Sequence, residues 1–201
     1  DIPGQLLLLQ KLFGEEINVL ADLKIYAKSF YETELIDFED VDELYDYCEN
    51  AAWARVNNGG RYGNILFQWI AALAVYPKIN WQLTLALGKA ILDSYGKSQE
   101  LNFTTLLRIA RIKWMKEGKF PDYTRLNLLK HLSKQNEVIA REHILMLLNE
   151  IPPSELTSEY FAFEEKETQR LINEFNLYAF DPVKYEAYQK SKDLLAQLWH
   201  H

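Results

Sequence analysis

Residues 62–77 read YGNILFQWIAALAVYP, and this stretch decides the fold. Apolar side chains fill almost every position from Ile65 to Val75, so a helix formed here has no polar face. Proline lacks a backbone N–H and breaks helices, and we therefore end this helix before Pro77. Because a helix that is apolar on all sides is buried on all sides, residues 62–75 are predicted to form the central helix.

The segments before this helix also carry apolar residues three and four positions apart, the spacing of amphipathic helices. Helices are predicted at Leu6–Phe13 and Ile17–Ala27, and a loop at Glu34–Glu39. Asp40 and Glu43 then have the spacing of a capping box. The helix that begins there should turn inward Val41, Leu44, Tyr45, Cys48 and Ala52 and end at Asn57-Asn58-Gly59-Gly60.

After the central helix, capping residues and helix breakers mark the ends of further helices. Pro152-Pro153 forces a break, and Asp181-Pro182 joins a capping residue to a proline suited to the first helical turn. These signals predict helices at Asn80–Gly96, Asn102–Gly118, Pro121–Leu132, Asn136–Leu147, Ser154–Phe175 and Asp181–His200.

The whole pattern predicts an all-α fold, a multi-helix bundle or an irregular helical array of about eight or nine helices. Runs of alternating β-branched residues are short, so we expect at most one short β-hairpin. Residues 1–201 should form a single helical domain with a subdivision near residues 152–154. Because the chain starts at Asp1 and not at Met, we expect it to be a fragment of a longer protein.

Charge is distributed unevenly along the chain, although the net charge is only −7. Residues 1–50 carry a balance of −10, residues 51–150 a balance of +7 and residues 151–201 a balance of −4. Such asymmetry indicates either an interaction surface or, as the plainer interpretation, acidic and basic parts that face each other or are simply solvated. A single cysteine, Cys48, excludes an internal disulfide and favours a cytoplasmic protein. No apolar run approaches the ~20 residues that span a bilayer.

The basic middle section supplies the candidate partner-binding residues. Two aromatic residues, Trp114 and Tyr123, are interleaved with its cations. Because patches of one charge steer association, we expect a protein partner, for example an acidic one, or other domains of the same polypeptide. Nucleic-acid binding through the whole segment 108–141 is the alternative. The candidate residues are Arg108, Arg111, Lys113, Lys116, Lys119 and Arg125.

A second candidate, for anion binding, is the sequence Gly59-Gly60-Arg61 ahead of the central helix. Glycines before a helix let backbone N–H groups approach an anion, and Arg61 would add positive charge. The spacing of a phosphate-binding P-loop is absent, and no Lys-Ser/Thr pair follows. An ordinary turn between two helices is the alternative interpretation.

The sequence predicts no catalytic residues, no metal site and no cofactor. His131 and His143 are the two histidines that precede the C-terminal His200-His201, and neither has a second ligand four residues away. A zinc site needs three or four such groups. Cys48 lies on an apolar stripe, where cysteine usually acts as a small buried hydrophobe. A further alternative is an enzyme with a site near Arg61 or His143.

The middle of the chain resembles a known class of helical segments. The similar stretches read ILFQWIAALAVYP at 65–77, WQLTLALG at 81–88, LLRIARIKWM at 106–115 and PDYTR at 121–125. Over residues 62–125 they are similar to accessory helices of bacterial STAND-class signalling and defence NTPases. Neither Walker motif of that class is present, so nucleotide hydrolysis cannot be carried over. The resemblance implies a non-catalytic accessory or regulatory role inside a larger bacterial protein.

Overall fold

The computed structural model describes residues 34–56, 60–79, 81–150 and 160–199, and within these ranges the protein is all-α, as predicted. These ranges contain nine α-helices and no strand; two isolated β-bridges join Ile36 to Ile112 and Lys78 to Lys119. Two compact units meet in sequence between Leu132 and Ser133. The expectation of a single domain with a subdivision near 152–154 stays a prediction.

The first unit holds six of the helices. They are α1 (Val41–Glu49), α2 (Ile65–Leu73), α3 (Trp81–Ser94), α4 (Phe103–Ala110), α5 (Lys113–Glu117) and α6 (Asp122–His131). The second unit holds α7 (Lys134–Glu150), α8 (Tyr160–Phe180) and α9 (Gln189–Trp199). Short 3₁₀ helices lie at Ala52–Ala54, Ser98–Glu100 and Glu186–Tyr188.

Helix α2 is the central helix that the sequence predicts, since all nine of its residues are buried. The side chain of Asn64 caps it by accepting a hydrogen bond from the backbone N–H of Phe67 at 3.0 Å. It packs against α3 and α6. The indole N–H of Trp69 donates to the carbonyl of Thr84 at 2.9 Å, so the largest buried side chain is also hydrogen-bonded.

Two of the predicted helix starts are confirmed by their capping bonds. Asp40 accepts a hydrogen bond from the backbone N–H of Glu43 at 2.9 Å, and Asn102 accepts one from Thr105 at 3.1 Å. The expected inward turn of Ala52 is wrong, because α1 ends at Glu49. The chain then enters a 3₁₀ helix, which buries Ala54 and exposes Ala52.

The predicted helix Asn102–Gly118 is wrong in one respect, because the structure breaks it at Ile112. Ile112 has extended backbone angles (φ −70°, ψ 121°) and pairs with Ile36. The N–H of Ile36 donates to the carbonyl of Arg111 at 2.7 Å, and the N–H of Lys113 donates to the carbonyl of Ile36 at 3.0 Å. Ile36 therefore forms backbone hydrogen bonds with Arg111 and Lys113 at the point where α4 ends and α5 begins.

The second unit corrects two further helix boundaries. Helix α7 begins at Lys134 and not at Asn136, since the backbone N–H of Asn136 donates to the hydroxyl of Ser133 at 3.3 Å. Met146 on this helix is exposed. Asp181 accepts hydrogen bonds from the N–H groups of Val183 and Lys184, so it caps a turn, and α9 begins only at Gln189.

Helix α8 packs against both α7 and α9, and buried polar side chains accompany this packing. The guanidinium of Arg141 pairs with Glu137 at 2.6 Å and donates to Asn173 at 3.1 Å. On the other side of α8, the hydroxyl of Ser191 donates to Glu174. Each buried polar group in these pairs thus has a partner, as burial away from water requires.

Several predictions lie outside the described residues. They are the helices Leu6–Phe13 and Ile17–Ala27, the cap at Asn80, the turn Asn57-Asn58-Gly59, the break at Pro152-Pro153 and the start of a helix at Ser154. In the described part of the chain, no helix is both long enough and apolar enough to cross a membrane.

Candidate docking surface

Helix α6 is the least covered helix of the first unit, and only Leu128 among its ten residues is fully buried. It starts after Pro121, whose carbonyl accepts a hydrogen bond from the N–H of Arg125 at 3.0 Å. Asp122 stands in its first turn and Lys130 in its last turn. These charges complement the helix dipole at both ends and stabilise a helix that buries little surface.

Two large apolar side chains on α6 face solvent. Tyr123 is 71% exposed and Leu126 is 58% exposed. They are three residues apart, so they lie on the same face of the helix. Among the residues whose side-chain exposure the structure describes, Met146, Val183 and Leu194 are the other exposed large hydrophobic side chains, and each belongs to a different element of the second unit. Among those residues, the pair on α6 is the one place where two such side chains share a helix face.

Exposed charged residues flank this apolar pair along the sequence, and Asp122 directly precedes Tyr123. Lys119 lies four residues before Tyr123, and Lys130 lies four residues after Leu126; both are exposed. Within the described ranges their side chains form no ion pair or hydrogen bond, and the same is true of exposed Lys116 in α5. We call Lys119, Tyr123, Leu126 and Lys130 the α6 surface.

Three other predicted partner-binding residues are held by the chain's own acidic N-terminal part. Lys113 forms an ion pair with Asp37, and this hydrogen-bonded contact raises the pKa of the lysine. Arg111 Nε donates to the carbonyl of Glu34 at 3.4 Å. The guanidinium of Arg108 lies 5.9 Å from the centre of the Tyr47 ring. Here the acidic and basic sections face each other, one of the two interpretations of the charge asymmetry.

Arg125 links α6 to the C-terminal end of α2. Its Nε donates to the carbonyl of Ala74 at 2.9 Å. Ala74 is the C-terminal cap of α2, where carbonyl groups have no partner within the helix. Arg125 thus joins α6 to the end of the central helix. Of the six predicted residues, Arg108, Arg111, Lys113 and Arg125 make contacts within the chain, whereas Lys116 and Lys119 form no ion pair or hydrogen bond with another described residue. Partner binding by these residues stays a prediction.

The residues of the predicted anion site lie in the turn ahead of α2, where Gly60 and Arg61 are exposed. Gly59 is outside the described residues, and Gly60 adopts φ +64° in a turn closed by the N–H of Gly63. Arg61 pairs with Asp42 at 3.0 Å. Tyr62 also donates its hydroxyl proton to Asp42, which raises the pKa of the tyrosine. The neighbour of Arg61 is thus a carboxylate, and anion binding at Gly59, Gly60 and Arg61 stays a prediction.

The histidines and the cysteine have separate environments. The ring of His131 stacks on Tyr62 with centroids 3.9 Å apart. His143 belongs to the second unit, and its Nδ1 lies 2.9 Å from the carbonyl of Ile139. Cys48 is fully buried, and burial raises the pKa of its thiol. Within the described ranges, no three His, Cys, Asp or Glu residues are grouped so that they could hold a metal ion.

Sequence reasoning noticed Tyr123 between the cations and missed Leu126. The available signal was the helical spacing itself, since Leu126 and Leu128 are about 200° apart around a helix and cannot share one face. One of the two had to point away from the core, and the structure exposes Leu126 and buries Leu128. Which leucine is exposed depends on where α6 rests against α2, which the local sequence does not state.

The α6 surface offers two exposed apolar side chains with exposed charged groups of both signs nearby, among them Asp122 and Lys130, a composition suited to recognising another molecule. Comparison of the chain with protein-family models, with curated proteins and with solved structures finds no match.

Proposed function

We propose that this protein is a non-catalytic helical interaction or regulatory module that docks another protein segment on the α6 surface. The observation that carries the proposal is the solvent exposure of Tyr123 and Leu126 on one helix face. Burying a large apolar side chain contributes about 1.5–3 kcal/mol. Two such side chains together supply a free energy comparable to that of a small interaction hot spot.

The resemblance of residues 62–125 to accessory helices of STAND-class proteins supports the same role. In that setting the module would be part of a larger bacterial protein and act in the cytoplasm, with the docked segment belonging to another domain or to a partner. The fold suits such a module, because α2 buries all of its residues and so provides a rigid base for α6.

A protein partner fits the α6 surface better than a nucleic acid does. A nucleic-acid interface needs a row of cations aimed at phosphates. Arg108, Arg111 and Lys113 instead contact residues 34–47 of the same chain. The exposed carboxylates of Glu117 and Asp122 adjoin the remaining lysines and would repel a phosphate backbone. The enzyme alternative is also less well supported, since Arg61 already pairs with Asp42.

Site-specific photo-cross-linking in cells tests the proposal. A photoreactive phenylalanine analogue is placed at Tyr123 of the full-length gene product and, as the matched control, at Val183, which is 88% exposed in the second unit. We expect a discrete cross-linked protein product at position 123 that Leu126→Ser weakens, and none at position 183. Equal cross-linking at the two positions, or none at 123, would contradict the proposed function.

A further inference from the structure

We propose that residues 34–37, here called the strap, hold α4 and α5 apart, and that release of the strap lets the two helices join into one. The strap crosses the point where α4 ends and α5 begins. The N–H of Ile36 donates to the carbonyl of Arg111 at 2.7 Å, and the carbonyl of Ile36 accepts from the N–H of Lys113 at 3.0 Å. The junction is a conformational switch, separate from docking at the α6 surface.

The strap binds backbone groups that a continuous helix would pair internally. In an α-helix each N–H donates to the carbonyl four residues earlier. The carbonyl of Arg111 would then accept from Met115, but it accepts from Ile36 instead. The N–H of Lys113 would donate to Ile109, but it donates to Ile36. A continuous helix therefore replaces both hydrogen bonds that release of the strap removes.

The local sequence does not force the break between α4 and α5. Residues 103–117 contain no glycine and no proline. Arg111 has helical backbone angles (φ −72°, ψ −17°), and the φ of Ile112, −70°, is also a helical value. Only the ψ of Ile112, 121°, departs from the value of about −42° in an α-helix. The break thus depends on contacts from outside the two helices.

Trp114 in α5 has an unsatisfied group that joining the helices would relieve. Its side chain is buried, and among the described residues its indole N–H has no hydrogen-bond partner, which costs free energy. In a continuous helix, Ile112 and Trp114 would be about 200° apart and could not share a face. With Ile112 kept in the core, the indole N–H turns towards water. Loss of the buried indole opposes this change and keeps the strapped form the stable one.

The strap is attached by contacts that water can reach. None of residues 34–37 is fully buried. In the ion pair of Lys113 with Asp37, the two side chains are 46% and 63% exposed, and the hydrogen bond from Arg111 to the carbonyl of Glu34 is long, at 3.4 Å. Segments with few buried contacts open at a lower free energy than the core. Release also frees the cationic side chains of Arg111 and Lys113.

Nuclear magnetic resonance of the full chain tests the switch. Ile36→Pro removes the N–H that binds Arg111, and Ile36→Ala, which keeps that N–H, is the matched control. In Ile36→Pro we expect the ¹³Cα shift of Ile112 to move to a helical value and the indole proton of Trp114 to exchange roughly tenfold faster. In Ile36→Ala the shift of Ile112 should stay extended.

A second substitution checks that the new signals come from a joined helix. Proline disfavours helical angles in the residue before it and is accepted at the first position of a helix, which Lys113 occupies in α5. Adding Lys113→Pro to Ile36→Pro should therefore return the shift of Ile112 to its extended value. In the unmodified chain, the amide proton of Ile36 should exchange at least roughly 100-fold faster than the amide protons of α2, because the strap opens locally.

Two results would overturn the switch. The first is an Ile112 shift that stays extended in Ile36→Pro. If Ile36→Pro does not fold, the same reading is taken from Asp37→Lys, which keeps every backbone group and places a like charge beside Lys113. The second is an amide proton of Ile36 that exchanges no faster than those of α2, since the strap would then open only when the whole first unit unfolds.

Discussion

Replacing Gly88 with alanine should strongly destabilise the first unit, although alanine is the better helix former. Gly88 lies within α3, where it faces the buried indole of Trp69. A Cβ atom at residue 88 would stand 2.1 Å from Cζ2 and 2.2 Å from Cε2 of that ring. Real Cβ atoms do not approach so closely, so either the tryptophan or the helix has to move.

The magnitude follows from three contributions to the free energy of unfolding. Alanine gains about 1 kcal/mol over glycine in a helix interior. Overpacking a filled core costs about 1–3 kcal/mol. Displacing the indole of Trp69 also breaks its hydrogen bond to the carbonyl of Thr84, which leaves buried polar groups unpaired and costs about 1–3 kcal/mol. We expect a net loss of about 3 kcal/mol for Gly88→Ala.

Urea unfolding followed by tryptophan fluorescence measures this loss, because four of the five tryptophans precede residue 133. Gly96→Ala is the comparison: it introduces no contact within 4 Å, but its φ of +64° costs about 1–2 kcal/mol of backbone strain. Adding Trp69→Phe should recover part of the loss in Gly88→Ala and none of the loss in Gly96→Ala. A Gly88→Ala protein as stable as the original would refute the packing argument.

Three further predictions concern buried and charged groups. Arg141→Met should lower the free energy of unfolding by about 3–5 kcal/mol in thermal or urea unfolding, because Glu137 loses its largely buried partner; Arg141→Met/Glu137→Leu should recover only part of it, since buried Asn173 still lacks its donor. Cys48 should resist alkylation by iodoacetamide until the first unit unfolds, since burial raises its pKa; rapid labelling of the folded chain would contradict this. Burial favours neutral Glu142, but hydrogen bonds from Tyr185 and Lys184 outweigh it and lower its pKa below 4.5. The stabilising effect of Glu142 is then present above pH 4.5 and lost as the pH falls through its folded-state pKa, so Glu142→Gln should show a smaller acid-induced loss of stability.

The sequence predicts the helix starts well wherever a cap acts locally. Asp40 and Asn102 each bond to a backbone N–H three residues ahead, so the few residues around them contain all the necessary information. The break at Ile112 was missed because it is made by Ile36, which is remote in sequence. The spacing of apolar residues along a helix contains no information about a distant backbone segment. It therefore cannot predict that Ile36 will bind the backbone groups of Arg111 and Lys113 and interrupt the helix.

The candidate site shows the same division between local and distant information. The sequence shows the cations of residues 108–125 as a group along the chain, but their partners are set by the tertiary structure. Lys113 forms an ion pair with Asp37, and Arg125 donates a hydrogen bond to the carbonyl of Ala74. A count of charges along the chain therefore overstates the number of cations that the surface presents to a partner. Leu126 was overlooked for the complementary reason, since an apolar residue in a helix is expected to be buried.

The internal pairing of charge also limits what the net charge says about a ligand at α6. At physiological ionic strength, exposed charges interact over a distance of about 8 Å, so the net charge of −7 would act weakly on a segment docked at α6. Such a segment would meet the local side chains, Tyr123 and Leu126 with exposed Asp122 and Lys130 on the same helix. Because these local charges have both signs, we expect salt to change docking at α6 only slightly, unlike the steep salt dependence of nucleic-acid binding.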